Sequence, residues 1–466
     1  MERPNDYSAA VYTDHKSCSE IGRLILLKGG NAMDAAISAT ICLSAALPHR
    51  GGPGGGLMAT VFFNRTCTSI NARETCPLQA TEQYFESRKD EAVVGAKASG
   101  VPGFLRGLHR SFERYASKKL SWRQLIEPTI QLCARGVTVS EELADDLEKH
   151  RPLILNDRKM RSQFLNYTTG KLLREGDKMF CHALSTFLTD MVDSDNPGNY
   201  FYKGTGARKS LKAFGEKEIF ITENDMEDYE PDISQNSVIK TIEGSTLCGN
   251  APPSVFSVIQ LAVSAMIGAN SSVKEIPLLA WDTTALIGDP DFDTNSDDVI
   301  TKLLREESIN GVIRRYRDKE NPSVKWEATE EGSFAVAVID EKGNAVSMVS
   351  SIGDKFGARI FTDLGFFMNN AMKSFDYEAF SGSVHQRNSL QPAKGPRTQM
   401  SGVIAHKNGA VQFVTGGANF IRLCYAVLDG MGKGPDVQAT TASPILYKDG
   451  DGLHLKHGRE MCLSGY

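Results

Sequence analysis

The 466 residues contain no basic block, no long acidic tail and no apolar run of membrane-spanning length, and the formal charge is only −5. Without a clustered positive face there is no electrostatic footprint for a nucleic acid or an anionic membrane. Without about 20 consecutive apolar residues, no segment reads as a transmembrane helix. The first residues, MERPNDYSAAVYTDHKSC, lack the charged-then-apolar pattern of a signal peptide. The expectation is an intracellular chain, or one whose export segment lies outside this sequence. The nine cysteines are odd in number and include no C-x-x-C pair, which argues against a zinc ribbon or a thioredoxin-type site and leaves disulfides open. The G-x-S-x-G nucleophile elbow is also missing.

Metal motifs are equally thin. Residues 289–298, DPDFDTNSDD, superficially match a calcium loop, but Thr294 stands where that loop needs glycine and Ile300 where it needs a bidentate Glu. A solvated acidic loop is the better reading. His454 and His457 have no third ligand nearby in sequence. No metal and no cofactor is expected.

What the chain does have is 41% apolar content, enough for one large α/β unit or two or three small domains. Residues 19–28 carry Ile21, Leu24, Ile25 and Leu27 near helical spacing and stop at Gly29-Gly30. Residues 33–47 predict a second helix, Ala-rich and suited to close packing, ended by Pro48. HRGGPGGGLMATVFF then gives a glycine-rich loop and a strand at 57–63. A phosphate site needs strand, loop and helix in that order. Here the order is helix, loop, strand, so the glycines are read as letting backbone pass close to other backbone. Asn64, Asn166 and Asn270 begin glycosylation sequons, which matter only on the secretory route.

Residues 329–351, TEEGSFAVAVIDEKGNAVSMVSS, read as a hairpin, with strands at 334–339 and 345–349 around Asp340-Glu341-Lys342-Gly343. A second strand pair, 403–405 and 411–415, follows around Lys407-Asn408-Gly409. Strands cluster late and helices early and centrally, which predicts stacked sheets flanked by helices. Ser333 stands where an acidic lead-in meets the first of these strands. On composition alone it is an ordinary strand-entry serine.

Together the segments CSEIG, GGNAMDAAISA, GGPGGG, INARE, VPGFLRGL, LREGD, ALIGDPDF, GNAVSM, NNAM and the terminal GY resemble the gamma-glutamyltransferase (glutathione hydrolase) family, in that family's order and over nearly the whole chain. The resemblance implies a four-layer αββα N-terminal-nucleophile hydrolase fold (α/β, or α+β) with a shortened C-terminal part. It implies one domain made of a large-subunit segment, 1–332, and a small-subunit segment, 333–466. Self-cleavage between Gly332 and Ser333 would leave a heterodimer with Ser333 as nucleophile, able after hydrolysis to use its own freed α-amine as base. Serine lacks the γ-methyl of the family's threonine and holds its hydroxyl less rigidly.

The resemblance further implies a disulfide between Cys18 and Cys42 and an extracellular or cell-surface location. Arg73 would grip the substrate α-carboxylate with its planar fork, the alternative being a structural pair with a nearby acid. Ser351 matches a supporting threonine, Thr398 and Gln399 match a Ser-Ser pair, and Asn419 and Phe420 match the Gly-Gly of the oxyanion hole. If that loop needs a positive φ, Asn tolerates it and Phe does so poorly. Where the family places ammonium contacts, this chain has Gly353, Ala371 and Ser374, with Lys373 adding positive charge. Lost charge-assisted bonds of roughly 1.5–3 kcal/mol each and a spoiled oxyanion donor of about 2.7–4 kcal/mol give the expectation of γ-glutamyl transfer or hydrolysis in weakened or altered form. An uncut chain with a binding or regulatory role is the alternative.

Overall fold

The computed structural model describes residues 9–215, 218–234, 238–287, 296–322, 330–377, 388–433, 443–449, 452–456 and 462–464. Most of the acidic stretch (residues 289–295), His457 and the terminal Gly-Tyr lie outside the described residues.

The first helix, Lys16–Leu27, turns Cys18, Ile21, Ile25 and Leu26 inward and leaves Leu24 and Leu27 exposed. Asn31 then starts the next helix with a reciprocal cap: its side chain accepts from the Met33 and Asp34 N–H groups while Asp34 accepts from the Asn31 N–H. That helix, Ala32–Ala46, is buried along its whole length, as its small residues permit. It packs against the helices Lys16–Leu27 and Trp122–Arg135 on one side and a sheet on the other.

That sheet has seven strands in the order Cys462–Ser464, Ala9–Thr13, Gly332–Ile339, Ala345–Gly353, Gly56–Phe63, Thr66–Ala72 and Asp232–Ser234. A second, six-stranded sheet runs Gly452–Lys456, Ile445–Asp449, Ala410–Gly417, Ser401–Lys407, Ser245–Gly249 and Val238–Ile242. Neighbouring strands are antiparallel in both.

Alternation along the strands builds the layers. In Gly332–Ile339, Phe334, Val336 and Val338 face the first helical layer, while Ala337 and Ile339 enter the apolar layer between the sheets. In Ser401–Lys407, Ile404 joins that middle layer, whereas Val403 and Ala405 face the helices Phe256–Ala269 and Phe420–Gly430. The result is the αββα order expected from the sequence.

Among the described residues two disulfides cross this frame. Cys18–Cys42, with Cα atoms 5.3 Å apart, ties the first two helices together as the resemblance implies. Cys67–Cys248, 6.2 Å between Cα atoms, joins one sheet to the other. The glycine-rich loop packs as read: a Cβ on Gly55 would run into the Ser351 carbonyl oxygen.

Candidate active site

Ser333 is the second residue of Gly332–Ile339, and its partner across the ladder is Ser351. The register slips between Ser351 and Gly353, so Gly332 falls opposite Gly353. At this irregularity the buried Ser351 hydroxyl donates to the Gly332 carbonyl at 2.7 Å and accepts the Gly353 N–H at 2.9 Å. Both glycines are sterically required. A Cβ on Gly332 would meet the Asp354 carbonyl, and Gly353 has φ +89° with Asn370 Oδ1 where a side chain would start.

The strand entrance is held by Asp14, which accepts from the Ala335 N–H and from the Tyr12 hydroxyl, each at 3.0 Å. Burial pushes the Asp14 carboxyl above its ordinary range, with nearby Arg50 pulling it partly back. Ser333, Asp14, Arg50, Glu142, Glu330 and the backbone from Gly416 to Asn419 line one cavity of about 450 Å³.

Behind Glu330 lies Arg73, just past the end of strand Thr66–Ala72 and 2% exposed. Its Nη1 meets Glu74 Oε2 at 3.0 Å and its Nη2 meets Glu330 Oε1 at 2.7 Å. The other Glu330 oxygen accepts the Thr398 hydroxyl at 2.7 Å and the Gln399 N–H at 3.2 Å. One carboxylate is therefore held by a guanidinium, a hydroxyl and a backbone N–H. Burial opposes the Arg73 charge, but Glu330 and Glu74 outweigh it and raise the guanidinium above its ordinary value. Burial raises the Glu74 carboxyl, with Arg73 drawing it back and Glu330 adding like-charge repulsion. The structure therefore shows the second of the two sequence readings of Arg73, an arginine paired with nearby acids.

The remaining predicted residues divide. Thr398 and Gln399 sit in the carboxylate cradle, and Gln399 Oε1 also accepts the Phe420 N–H at 3.2 Å. Asn419 has φ −138°, so no left-handed backbone is needed, and its side chain caps helix Phe420–Gly430 through the Arg422 N–H. The Phe420 ring turns away from the cavity into the second core against Trp281. Of this pair only Asn419 lines the cavity, together with Gly416, Gly417 and Ala418. Lys373 is paired with Asp354 at 2.7 Å, Ala371 is buried, and Ser374 Oγ lies 3.5 Å from Arg73 Nη2.

Glu330, Glu74 and Asp14 were missed by sequence reasoning. The first two adjoin quoted motifs, in EEGS and INARE, and acids flanking a predicted nucleophile and a predicted arginine were the signal available. Among the described residues, Cys67, Cys248 and His406 form a group with metal-ligand spacing, and its two sulfurs are joined in the disulfide. No described helix is long and apolar enough to cross a membrane.

A family model described as Gamma-glutamyltranspeptidase matches residues 18–449. The chain is similar to Glutathione hydrolase 2 of Arabidopsis thaliana, 29% identical over 437 residues and covering 88% of this chain and 74% of the relative. It is similar to the Glutathione hydrolase proenzyme of Escherichia coli, 26% identical over 446 residues, 88% of this chain and 75% of that one. Among solved structures, cephalosporin acylase from Bacillus halodurans superposes with a TM-score of 0.81 at 17% identity, over 99% of this chain and 96% of that one. Helicobacter pylori gamma-glutamyltranspeptidase gives 0.58 at 24% identity, over 68% and 92%. These structures share the fold.

Proposed function

Starting from the premise that this chain belongs to the gamma-glutamyltranspeptidase family, we propose that it cuts itself before Ser333 and then moves the γ-glutamyl group of glutathione or a related compound to water or an amino acid. The observation that carries this reading is the cradle of Arg73, Thr398 and the Gln399 N–H around a glutamyl-type carboxylate, three residues from Ser333.

The strand geometry supports a self-cleavage step of the following form. The Ser333 hydroxyl adds to the Gly332 carbonyl carbon, whose oxygen the Ser351 hydroxyl already polarises. The Gly332–Ser333 C–N bond breaks, the hydroxyl proton passes to the departing Ser333 nitrogen, and an ester remains. Water hydrolyses that ester into a Gly332 carboxylate and a Ser333 with free hydroxyl and amine. The amine then serves as base when the same hydroxyl attacks a substrate's γ-carbonyl. The stretch Gly416, Gly417, Ala418 and Asn419 lines the cavity and is the source proposed for backbone oxyanion donors. Gly353 and Ala371 carry no side-chain acceptor for an α-ammonium, and the cavity is lined by the acidic residues Asp14, Glu142, Glu330 and Glu331.

After the cut, each sheet still contains strands from both pieces, which supports their staying together as a heterodimer. The two disulfides and the exposed sequon at Asn64 support an oxidising, extracellular-facing compartment. The direct test is turnover of γ-glutamyl p-nitroanilide by the purified chain. Release of the aniline that is lost in Ser333→Ala and at least tenfold slower in Arg73→Lys is expected. Equal rates in Ser333→Ala and the parent chain would overturn the assignment of the nucleophile.

A further inference from the structure

In the uncut chain the carboxylate cradle is already full. Arg73 faces two acids, Glu74 and Glu330, whose positions differ in kind. Glu74 is the next residue in the chain and cannot leave its neighbour. Glu330 is supplied from 257 residues away in sequence, and both of its oxygens are engaged: Arg73 Nη2 at 2.7 Å on one, the Thr398 hydroxyl at 2.7 Å and the Gln399 N–H at 3.2 Å on the other. Its side chain and that of Arg73 are each 1% exposed, so the pair is shielded from solvent. Glu330 also forms part of the lining of the Ser333 cavity, which Arg73 does not reach.

We propose that Glu330 is a tethered occupant of the glutamyl-carboxylate cradle, shutting the site to carboxylate ligands while the Gly332–Ser333 bond is intact and giving it up once that bond is broken. This inference rests on the functional reading above and adds how that site is regulated. A carboxylate built into the fold competes at an effective concentration of at least about millimolar, and a free ligand must displace it. The charge count points the same way. With Glu330 in place the cluster holds one cation and two carboxylates, and with it gone the Arg73–Glu74 pair is neutral and one donor set is open to a single anion. Breaking the Gly332–Ser333 bond converts Glu330 from a mid-chain residue, held on its far side by strand Gly332–Ile339, into the third residue from a new chain end. That change removes one of the two covalent attachments that position Glu330 in the cradle.

The test uses the full chain, kept uncut by Ser333→Ala, with free L-glutamate as probe and calorimetry as readout. Ser333→Ala/Glu330→Ala binds L-glutamate at least tenfold more tightly than Ser333→Ala alone, and adding Arg73→Ala removes that gain. Ser333→Ala/Glu330→Gln, which preserves the side-chain shape, shows a gain of the same direction and serves if the alanine variant does not fold. Equal affinity in Ser333→Ala and the Glu330 variants, whether all bind or none does, overturns the occupant. Turnover of γ-glutamyl p-nitroanilide by the parent chain separates this from failure of the enzymatic reading. Turnover with no gain on Glu330 replacement rejects the occupant alone. A gain with no turnover rejects the reaction alone.

Discussion

Replacing Ser351 by alanine removes the side-chain donor that sits 2.7 Å from the Gly332 carbonyl oxygen, in a site where donor and acceptor are both buried. In the resting chain that neutral bond contributes about 0.5–1.5 kcal/mol. When Ser333 adds to the carbonyl, the oxygen becomes an alkoxide, and a donor to such an oxyanion is worth about 2.7–4 kcal/mol. Only the difference slows the reaction, so the self-cleavage barrier rises by about 1.2–3.5 kcal/mol, or roughly 8- to 400-fold in rate. The assay is a time course on freshly purified chain, following loss of the 466-residue species and appearance of the 1–332 and 333–466 pieces. The same substitution orphans the buried Gly353 N–H, which costs about 1–3 kcal/mol of stability. A urea titration measures that loss separately. Ser351→Thr keeps the hydroxyl and restores most of the rate. A folded Ser351→Ala chain that cuts itself within twofold of the parent would refute the claim that this hydroxyl polarises the scissile carbonyl.

Arg73→Lys keeps a charge but loses the two-pronged contact to Glu74 and Glu330, and kcat/KM for a γ-glutamyl anilide falls roughly 10- to 150-fold, one charged hydrogen bond of about 1.5–3 kcal/mol. An unchanged kcat/KM would remove Arg73 from substrate binding. The Cys67→Ser/Cys248→Ser double variant loses about 2–5 kcal/mol of unfolding free energy, toward the upper end because the bridged residues are 181 apart, and urea melts read this directly. No change would mean the tie between the sheets is not constraining the unfolded chain. Asp14 holds its proton more tightly folded than unfolded, so its contribution to stability is present below the ordinary carboxylate pKa of about 4 and is lost as pH rises through the raised folded value. Asp14→Asn cannot ionise, and its stability relative to the parent chain therefore increases between pH 4 and pH 7. A difference that stays constant with pH would contradict the buried-carboxylate account.

The hairpin around Asp340–Gly343, the buried Ala-rich helix and the tight glycine loop were legible because each rests on local pattern: alternation, small-residue spacing, and turn chemistry. The observed helices Lys16–Leu27 and Ala32–Ala46 start within three residues of the boundaries expected at 19 and 33. The Cys67–Cys248 pairing was not legible, because nine cysteines allow many pairings and only the stacking of the two sheets brings these two together. Glu330 was read only as part of an acidic lead-in, and an isolated Glu is seldom buried. It is buried here because Arg73, Thr398 and Gln399, drawn from two distant segments, converge to pair it. The concern over a positive φ at Asn419 and Phe420 does not arise, because Asn419 is extended and begins a helix. Ser333 shows the limit of pattern: hydrophobic alternation places it in a strand, while the chemistry proposed for it draws on the slipped register that puts Ser351 on the preceding carbonyl.

The central claim is that Ser333 becomes a chain-terminal nucleophile that accepts a γ-glutamyl group. Intact-mass analysis of purified chain, acid-quenched during turnover of γ-glutamyl p-nitroanilide, tests it most directly. The account predicts two pieces, with the smaller one starting at Ser333 and carrying a glutamyl ester on that residue. A single 466-residue species without adduct, or an adduct mapped to any other side chain, would contradict it.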